Sequence, residues 1–205
     1  MSYEKIRGKG GAESGSNAIG GDAFLGLLRN RTGIAFDLPT DCQLEYACAA
    51  GVAADYNNGG ACTNGKANAS MDAVGRYRFN GGWNDAKWGR FKWTTFDKAA
   101  DRECDTDTGT AAVGSYLPNT WGFYDMHGNV WEWCLDWYVS RGTSGFDSGA
   151  VTDPKGDASG SDRVLRGGSW YSLAQYCRSA YRNGNYSPSY SLNYGGFRLC
   201  CPAGL

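Results

Sequence analysis

Between Tyr171 and Tyr194 the chain reads YSLAQYCRSAYRNGNYSPSYSLNY, and its residue types suit gripping a partner better than making or breaking bonds. Six of the chain's 13 tyrosines fall here, at 171, 176, 181, 186, 190 and 194, with Ser, Asn and Gly in most of the intervals. Phenol rings give large, rigid, amphipathic contacts at low entropic cost, and Ser, Asn and Gly add adaptable hydrogen bonding, as in antibody loops. Lys, Asp and Glu are absent, so the stretch holds no acid or base of its own, and Arg178 and Arg182 carry its only charge. A spacing of four to five residues matches neither a strand face nor a buried helix stripe. The tyrosines are therefore expected outside the core.

Other reactive residues are sparse. The cysteines stand at 42, 48, 62, 104, 134, 177, 200 and 201. Their even number is compatible with disulfides in an exported protein, but no C-x-x-C pair is present and vicinal Cys200 and Cys201 are poorly placed to bridge each other. Buried free thiols and one or two bridges both remain open. The single histidine, His127, argues against a Cys/His zinc site, and its place in DMHGN makes it a structural turn residue sooner than a catalyst. The run DTDTG at 105–109 has too few carboxylates and no closing Glu for a calcium loop, and reads as a solvated turn.

The elements that position these residues must come from a Gly- and Trp-rich chain, with 31 Gly, 8 Trp and only 5 Pro in 205 residues. That length suits one domain with a real core. Net charge is −1, which gives no basic footprint for nucleic acid. No apolar run is long enough to cross a bilayer, and the polar residues after Met1 give no secretion signal. The first 17 or so residues are expected to form a polar, extended or disordered arm. Phe24, Leu25, Leu27 and Leu28, with Gly33 as the stop, predict a helix over about 22–31. Thr40 and Gln43 form a capping-box pattern for a second helix over about 41–49, ended by Gly51.

Residues 52–72 read as a loop and 73–120 as irregular, with Trp83, Trp88 and Trp93 pinning loops to the core, a carbohydrate-stacking platform being the minority reading. GFYDMHGNVWEWCLDWY at 122–138 starts as a turn and continues as a strand. Residues 140–162 read as an exposed loop, VLRGGSW at 164–170 as a strand with a glycine kink, and GGFRLCC at 195–201 as a closing strand. No repeat of 20–50 residues is present.

Four of these strings occur in fixed order: DLPTDCQLEYACAAG, GFYDMHGNVWEWCLDWY, RVLRGGSW and GGFRL. Together they resemble the signatures of the formylglycine-generating-enzyme (sulfatase-modifying factor) family over about residues 18–201. The resemblance implies an α+β, C-type-lectin-like fold of the formylglycine-generating-enzyme subtype, with two helices, small antiparallel sheets and long loops. In the oxygen-dependent enzymes of this family, two cysteines after the Gly-Gly-Ser motif bind copper. The matching positions here are Ser172 and Cys177, and a hydroxyl cannot replace a soft thiolate for copper(I). Another branch uses a three-histidine iron site, which one histidine cannot supply.

The segment also resembles, more closely, the variable proteins of diversity-generating retroelements, the treponemal variable proteins among them. That resemblance implies a C-terminal segment rewritten at adenines of Asn codons, which yields Tyr, Ser, Leu and Gly. The ligand-binding residues so implied are Tyr171, Ser172, Leu173, Tyr176, Tyr181, Asn183, Gly184, Tyr186, Ser189, Tyr190, Leu192 and Tyr194. The frame RGGSW…AQ.CRSA.R…GGFRL is the invariable part. The implied partner is a protein or glycan met at a cell surface or outside the cell, with no nucleic acid and no membrane span.

No cofactor follows from the residues alone. The family resemblance implies a calcium ion held by the side chains of Asp125 and Glu132 and the carbonyls of Gly128 and Val130, and oxygen ligands suit this hard cation. The alternative is that Asp125 caps the turn while Glu132 pairs with a buried Arg such as Arg166 or Arg198. The leading functional expectation is a non-enzymatic binding protein. An oxygen-using enzyme acting on a peptidyl cysteine, and a structural surface domain whose tyrosines pack on a neighbour, are the competing ones.

Overall fold

The computed structural model describes residues 1–9, 18–63, 66–80, 109–140 and 152–201. Residues 10–17 of the expected arm, the Trp83, Trp88 and Trp93 region, residues 105–108 of the solvated turn, and 141–151 of the expected loop lie outside them. The chain divides into two compact units. The first joins Met1–Leu44, Glu132–Arg166 and Arg182–Leu205; the second joins Glu45–Trp131 and Gly167–Tyr181.

In the first unit the chain opens with a short helix, α1 (Tyr3–Arg7), where an arm was expected. Ser2 caps it by accepting the Lys5 N–H at 3.3 Å. Tyr3, Ile6 and Arg7 lie three and four residues apart, hence on one helix face, and all three are buried. Arg7 reaches the Asp37 carboxylate at 2.9 Å, which Arg29 also reaches at 3.2 Å. Helix α2 (Phe24–Thr32) ends as its sequence predicts: Gly33 takes φ 72° and donates to the Arg29 carbonyl at 2.8 Å. Helix α3 (Asp41–Ala49) begins with the expected capping box. The Thr40 N–H donates to Gln43 Oε1 at 2.9 Å, and the Gln43 N–H to Thr40 Oγ1 at 3.2 Å.

A three-stranded sheet, ordered β4-β3-β5, centres this unit. Strand β3 (Trp131–Trp137) is buried along nearly its whole length and pairs antiparallel with β4 (Arg163–Arg166), Glu132 opposite Arg166 and Trp133 opposite Leu165. A register shift follows before Trp137 meets Arg163. The Arg163 guanidinium lies 3.4 Å from the centre of the Trp137 ring and 4.7 Å from that of Tyr3. Strand β5 is short, Gly195–Gly196, and the closing segment adds one further bridge between Asp37 and Cys200.

The second unit holds helix α4 (Ala69–Val74), which falls partly within the expected 52–72 loop. Asn68 caps it, accepting from Ser70 and Met71 N–H groups at 3.0 and 3.2 Å. Met71 and Val74 pack with Tyr56, Tyr77, Ala174 and Cys177 into a buried apolar cluster. Strands β1 (Gly75–Arg76) and β2 (His127–Gly128) pair in parallel, a departure from the expected all-antiparallel sheets. After β4 the chain kinks at Gly167 and Gly168, both at positive φ. Gly168 is obligatory for space as well, because a Cβ there would come within 2.4 Å of Cys177 Sγ. Among the described residues no helix is long and apolar enough to cross a membrane, and Cys42, Cys48, Cys62, Cys134, Cys177, Cys200 and Cys201 are free thiols.

Candidate ligand-binding surface

Residues 171–181 belong to the second unit, and several of them are tied to it by hydrogen bonds. Ser179 N–H donates to the Asp55 carbonyl at 2.9 Å, and Arg178 reaches the Asp55 carboxylate at 3.4 Å. The Tyr56 hydroxyl donates to the Ala174 carbonyl at 2.9 Å. Buried His127 fixes the same stretch from below. Its Nε2 accepts the Asn57 N–H at 3.1 Å, so its Nδ1 must carry the proton that it donates to the Cys177 carbonyl at 2.7 Å. Burial pulls its pKa down to about 4, which keeps this neutral tautomer in place. On that support Tyr171 is exposed at 42 %, while Leu173, Tyr176 and Tyr181 are half-buried. Tyr176 meets Tyr181 edge-on at 5.0 Å, and Tyr181 lies 6.0 Å from Trp131, a buried ring of the scaffold.

Residues 182–194 belong to the first unit. Arg182 is anchored by Asp41, Nε to Oδ2 at 2.5 Å, and by the Val139 carbonyl at 2.9 Å. The other oxygen of Asp41 accepts from Arg166. Asp136 completes this buried group, accepting the Asp41 N–H at 2.7 Å, and burial raises its pKa to about 6. Asn183 pairs with Leu165 through two backbone bonds of 2.8 and 2.9 Å. Beyond it Tyr186, Tyr190 and Tyr194 form a group: the hydroxyls of Tyr186 and Tyr194 are 3.0 Å apart, and Tyr186 and Tyr190 ring centres 5.6 Å apart. Tyr190 is exposed at 56 %, Ser189 is exposed, and Asn183, Tyr186 and Tyr194 are half-buried.

Three of the expected binding residues, Ser172, Gly184 and Leu192, are buried and so are not open to a ligand. Ser172 Oγ accepts the Ser169 N–H at 3.0 Å, closing a tight turn. A Cβ at Gly184 would lie 1.7 Å from Tyr138 Cγ, so no larger residue fits there unless that ring moves. Leu192 is 4 % exposed.

The residues matching the family's copper pair are likewise inward. Cys177 is fully buried, and burial pushes its thiol well above the usual range, so it stays protonated. Of the side chains expected to hold calcium, Glu132 and Asp125 both have protein partners, as the alternative reading expected. Both oxygens of Glu132 accept from Arg198, each at 3.0 Å, and Asp125 accepts the Gly114 N–H at 2.7 Å. Among the described residues no three His, Cys, Asp or Glu side chains gather to hold a metal.

Residues 1–202 match the family described as "Sulfatase-modifying factor enzyme 1-like domain". The chain belongs to this family. Its sulfatase-modifying-factor relatives include the formylglycine-generating enzyme of Streptomyces coelicolor, 37 % identical over 172 residues, which are 82 % of this chain and 47 % of that enzyme. A shorter match, 44 % over 91 residues, is to the serine/threonine-protein kinase pkn1 of Chlamydia pneumoniae, covering 42 % of this chain and 14 % of that one. The chain thus spans half or less of the curated relatives it matches. Treponema denticola variable protein 1 has a similar structure, with a TM-score of 0.58 and 32 % identity over 82 % of this chain and 48 % of that one. The fold is the C-type-lectin-like α+β fold of the formylglycine-generating-enzyme subtype.

Asp41 and Asp136 escaped the sequence reading, and Arg166, expected only as a partner for Glu132, bonds Asp41. The usable signal was that Arg178 and Arg182 are the lone charges in a neutral segment, which marks them as anchors. Tyr46, Trp121, Phe123 and Tyr124, all exposed, also escaped it, because family signature strings hide which members point outward.

Proposed function

We propose that this chain is a ligand-binding protein whose segment from Tyr171 to Tyr194 is diversified by a retroelement and displayed at a cell surface. The observation that carries this reading is a division of labour inside the segment. Ala174, Cys177, Ser179, Arg178 and Arg182 are tied to the scaffold, whereas none of the six tyrosines belongs to the buried core. Side chains at 171, 173, 176, 181, 183, 186, 189, 190 and 194 can therefore change while the backbone is held by others, the arrangement by which loops on a fixed frame carry recognition. Likeness to a protein named as variable adds support. Both arginines of the segment face carboxylates within their own unit, so the side chains that each unit's part of the segment offers to a ligand are aromatic, hydroxylic and nearly neutral, and tyrosine anchors are expected to dominate the affinity.

An oxygen-dependent activity like that of the family's enzymes is the second reading, favoured by identity to formylglycine-generating enzymes. Against it, Ser172 stands where a thiol is needed, its hydroxyl engaged in the Ser169 turn.

The gene decides between them. A nearby reverse transcriptase and a second, asparagine-rich copy of the 171–194 codons, differing at adenines alone, are the expected result. Differences spread over all bases, or no second copy, overturn the diversification. Tight copper binding with turnover of a cysteine peptide would restore the enzyme.

A further inference from the structure

We propose that residues Met1–Arg7 are a strap that positions the second half of the tyrosine segment: they hold the turn from Ser187 to Gly195, which carries Ser189, Tyr190 and Tyr194. The proposal rests on the reading of that segment as a binding surface. Every residue of the strap and of the turn lies in the first unit.

One side of the strap is seated in the core. Tyr3 and Ile6 are fully buried and Arg7 is 2 % exposed. The Tyr3 ring meets Trp133 of β3 edge-on, and the Arg163 guanidinium of β4 lies over it. Arg7 donates to the Tyr3 hydroxyl at 3.1 Å as well as to Asp37. Trp133 Nε1 donates to the Met1 carbonyl at 3.1 Å. The place of α1 is thus set by side chains of the sheet.

The other side grips the turn at three backbone carbonyls. The Glu4 N–H donates to the Pro188 carbonyl at 3.2 Å, and the Met1 nitrogen donates to those of Leu192 and Gly195 at 3.0 and 3.2 Å. A donor in the first turn of a helix has no partner within that helix, so Glu4 has its N–H to spare. Pro188 and Leu192 stand two residues either side of Tyr190, so the grip brackets the exposed ring. The turn's own bonds are local: the Tyr190 N–H reaches the Ser187 carbonyl at 2.9 Å, and the Gly195 N–H that of Leu192 at 3.4 Å. Such bonds fix the bend and leave its place on the molecule to other contacts. Because the strap bonds carbonyls, it can hold the turn whatever side chains stand at 189, 190 and 194. That is what a frame for varying residues requires.

The test compares the parent with a chain released from a fusion so that it starts at Tyr3. This removes the two Met1 bonds and the Ser2 cap while leaving Tyr3, Ile6 and Arg7. Amide hydrogen exchange, read residue by residue by NMR, should quicken about fivefold or more at Tyr190, the size of a lost helix cap. It should stay unchanged at Tyr176 and Tyr181, whose amides bond Leu173 and Arg178 in the second unit. If the shortened chain does not fold, Ser2→Ala serves in its place. An unchanged Tyr190 rate, or one common factor at all three amides, overturns the strap. Binding gives the second readout. Two displayed libraries, one mixed at 189, 190 and 194 and one at 171, 173, 176 and 181, are each selected against streptavidin. Shortening the chain should weaken binders from the first ~10-fold and leave those from the second unchanged. Equal weakening of both, as a merely structural helix would give, overturns the proposal. If neither library yields a binder, the surface reading fails, and the exchange rates alone decide the strap.

Discussion

Replacing Asp41 by Asn tests whether the scaffold really anchors the tyrosine segment. Asp41 is 3 % exposed and bonds two guanidiniums, those of Arg166 on β4 and Arg182 within the segment, whose side chains are 3 % and 8 % exposed. Asparagine keeps the shape and removes the charge. Two buried cations are then left with Asp136 as the remaining carboxylate of that group. Removing one partner of a buried pair costs roughly 3–5 kcal/mol, far more than the pair adds over a well-packed apolar substitute. The low end applies here because Asp136 shares the load, giving about 3 kcal/mol. With a urea dependence of about 2 kcal/mol per M for a domain of this size, the midpoint should fall by about 1.5 M. Arg182→Met removes the segment's end of the pair and should cost less, since the methionine leaves no buried charge behind. Equilibrium urea unfolding, followed by tryptophan fluorescence, reads both. A loss under about 1 kcal/mol in Asp41→Asn would refute the anchoring, since it matches the worth of an exposed pair.

Other consequences are equally direct. Tyr190→Ala and Tyr171→Ala should each change stability by about 0.5 kcal/mol or less, as for exposed positions, whereas Trp133→Ala at a fully buried ring should cost about 3–5 kcal/mol; thermal melts compare them. Gly184→Ala should lose about 1–3 kcal/mol by collision with Tyr138, and Tyr138→Ala in the same chain should recover part of it. His127 has a folded pKa near 4 against 6.5 unfolded, so its contribution is present above pH 6.5 and is lost as pH falls toward 4, by roughly 3 kcal/mol. Asp136, raised to about 6 from 3.8, acts the other way: its share of stability is present below 3.8 and is lost as pH rises through 6. In Asp136→Asn the decline from pH 6.5 to 4 should therefore be steeper than in the parent, as read from unfolding midpoints at each pH.

Local rules carried the sequence reading where local forces decide. The Thr40–Gln43 box and the Gly33 stop depend on hydrogen bonds within one turn, and the structure forms both. Strand β3 was legible from its apolar run, and the RGGSW kink from its paired glycines. What stayed hidden is non-local. The opening residues look like a polar arm until Tyr3 meets Trp133 edge-on at 6.0 Å and Arg7 finds Asp37. Gly184 looks like a flexible member of the binding set until Tyr138 is placed over it. Ser172 and Leu192 differ from their exposed neighbours in environment and not in residue type, and composition cannot separate them.

The central claim is that the tyrosine-bearing positions can vary on a scaffold that folds without them. A displayed library that mixes Tyr, Ser, Asn, Leu and Gly at 171, 173, 176, 181, 183, 186, 189, 190 and 194, scored by protease resistance and melting, measures this most directly. Most members should remain folded, while the same mixture at 174, 177, 182 and 184 should leave few that do. Collapse of the first library to the level of the second would contradict the account.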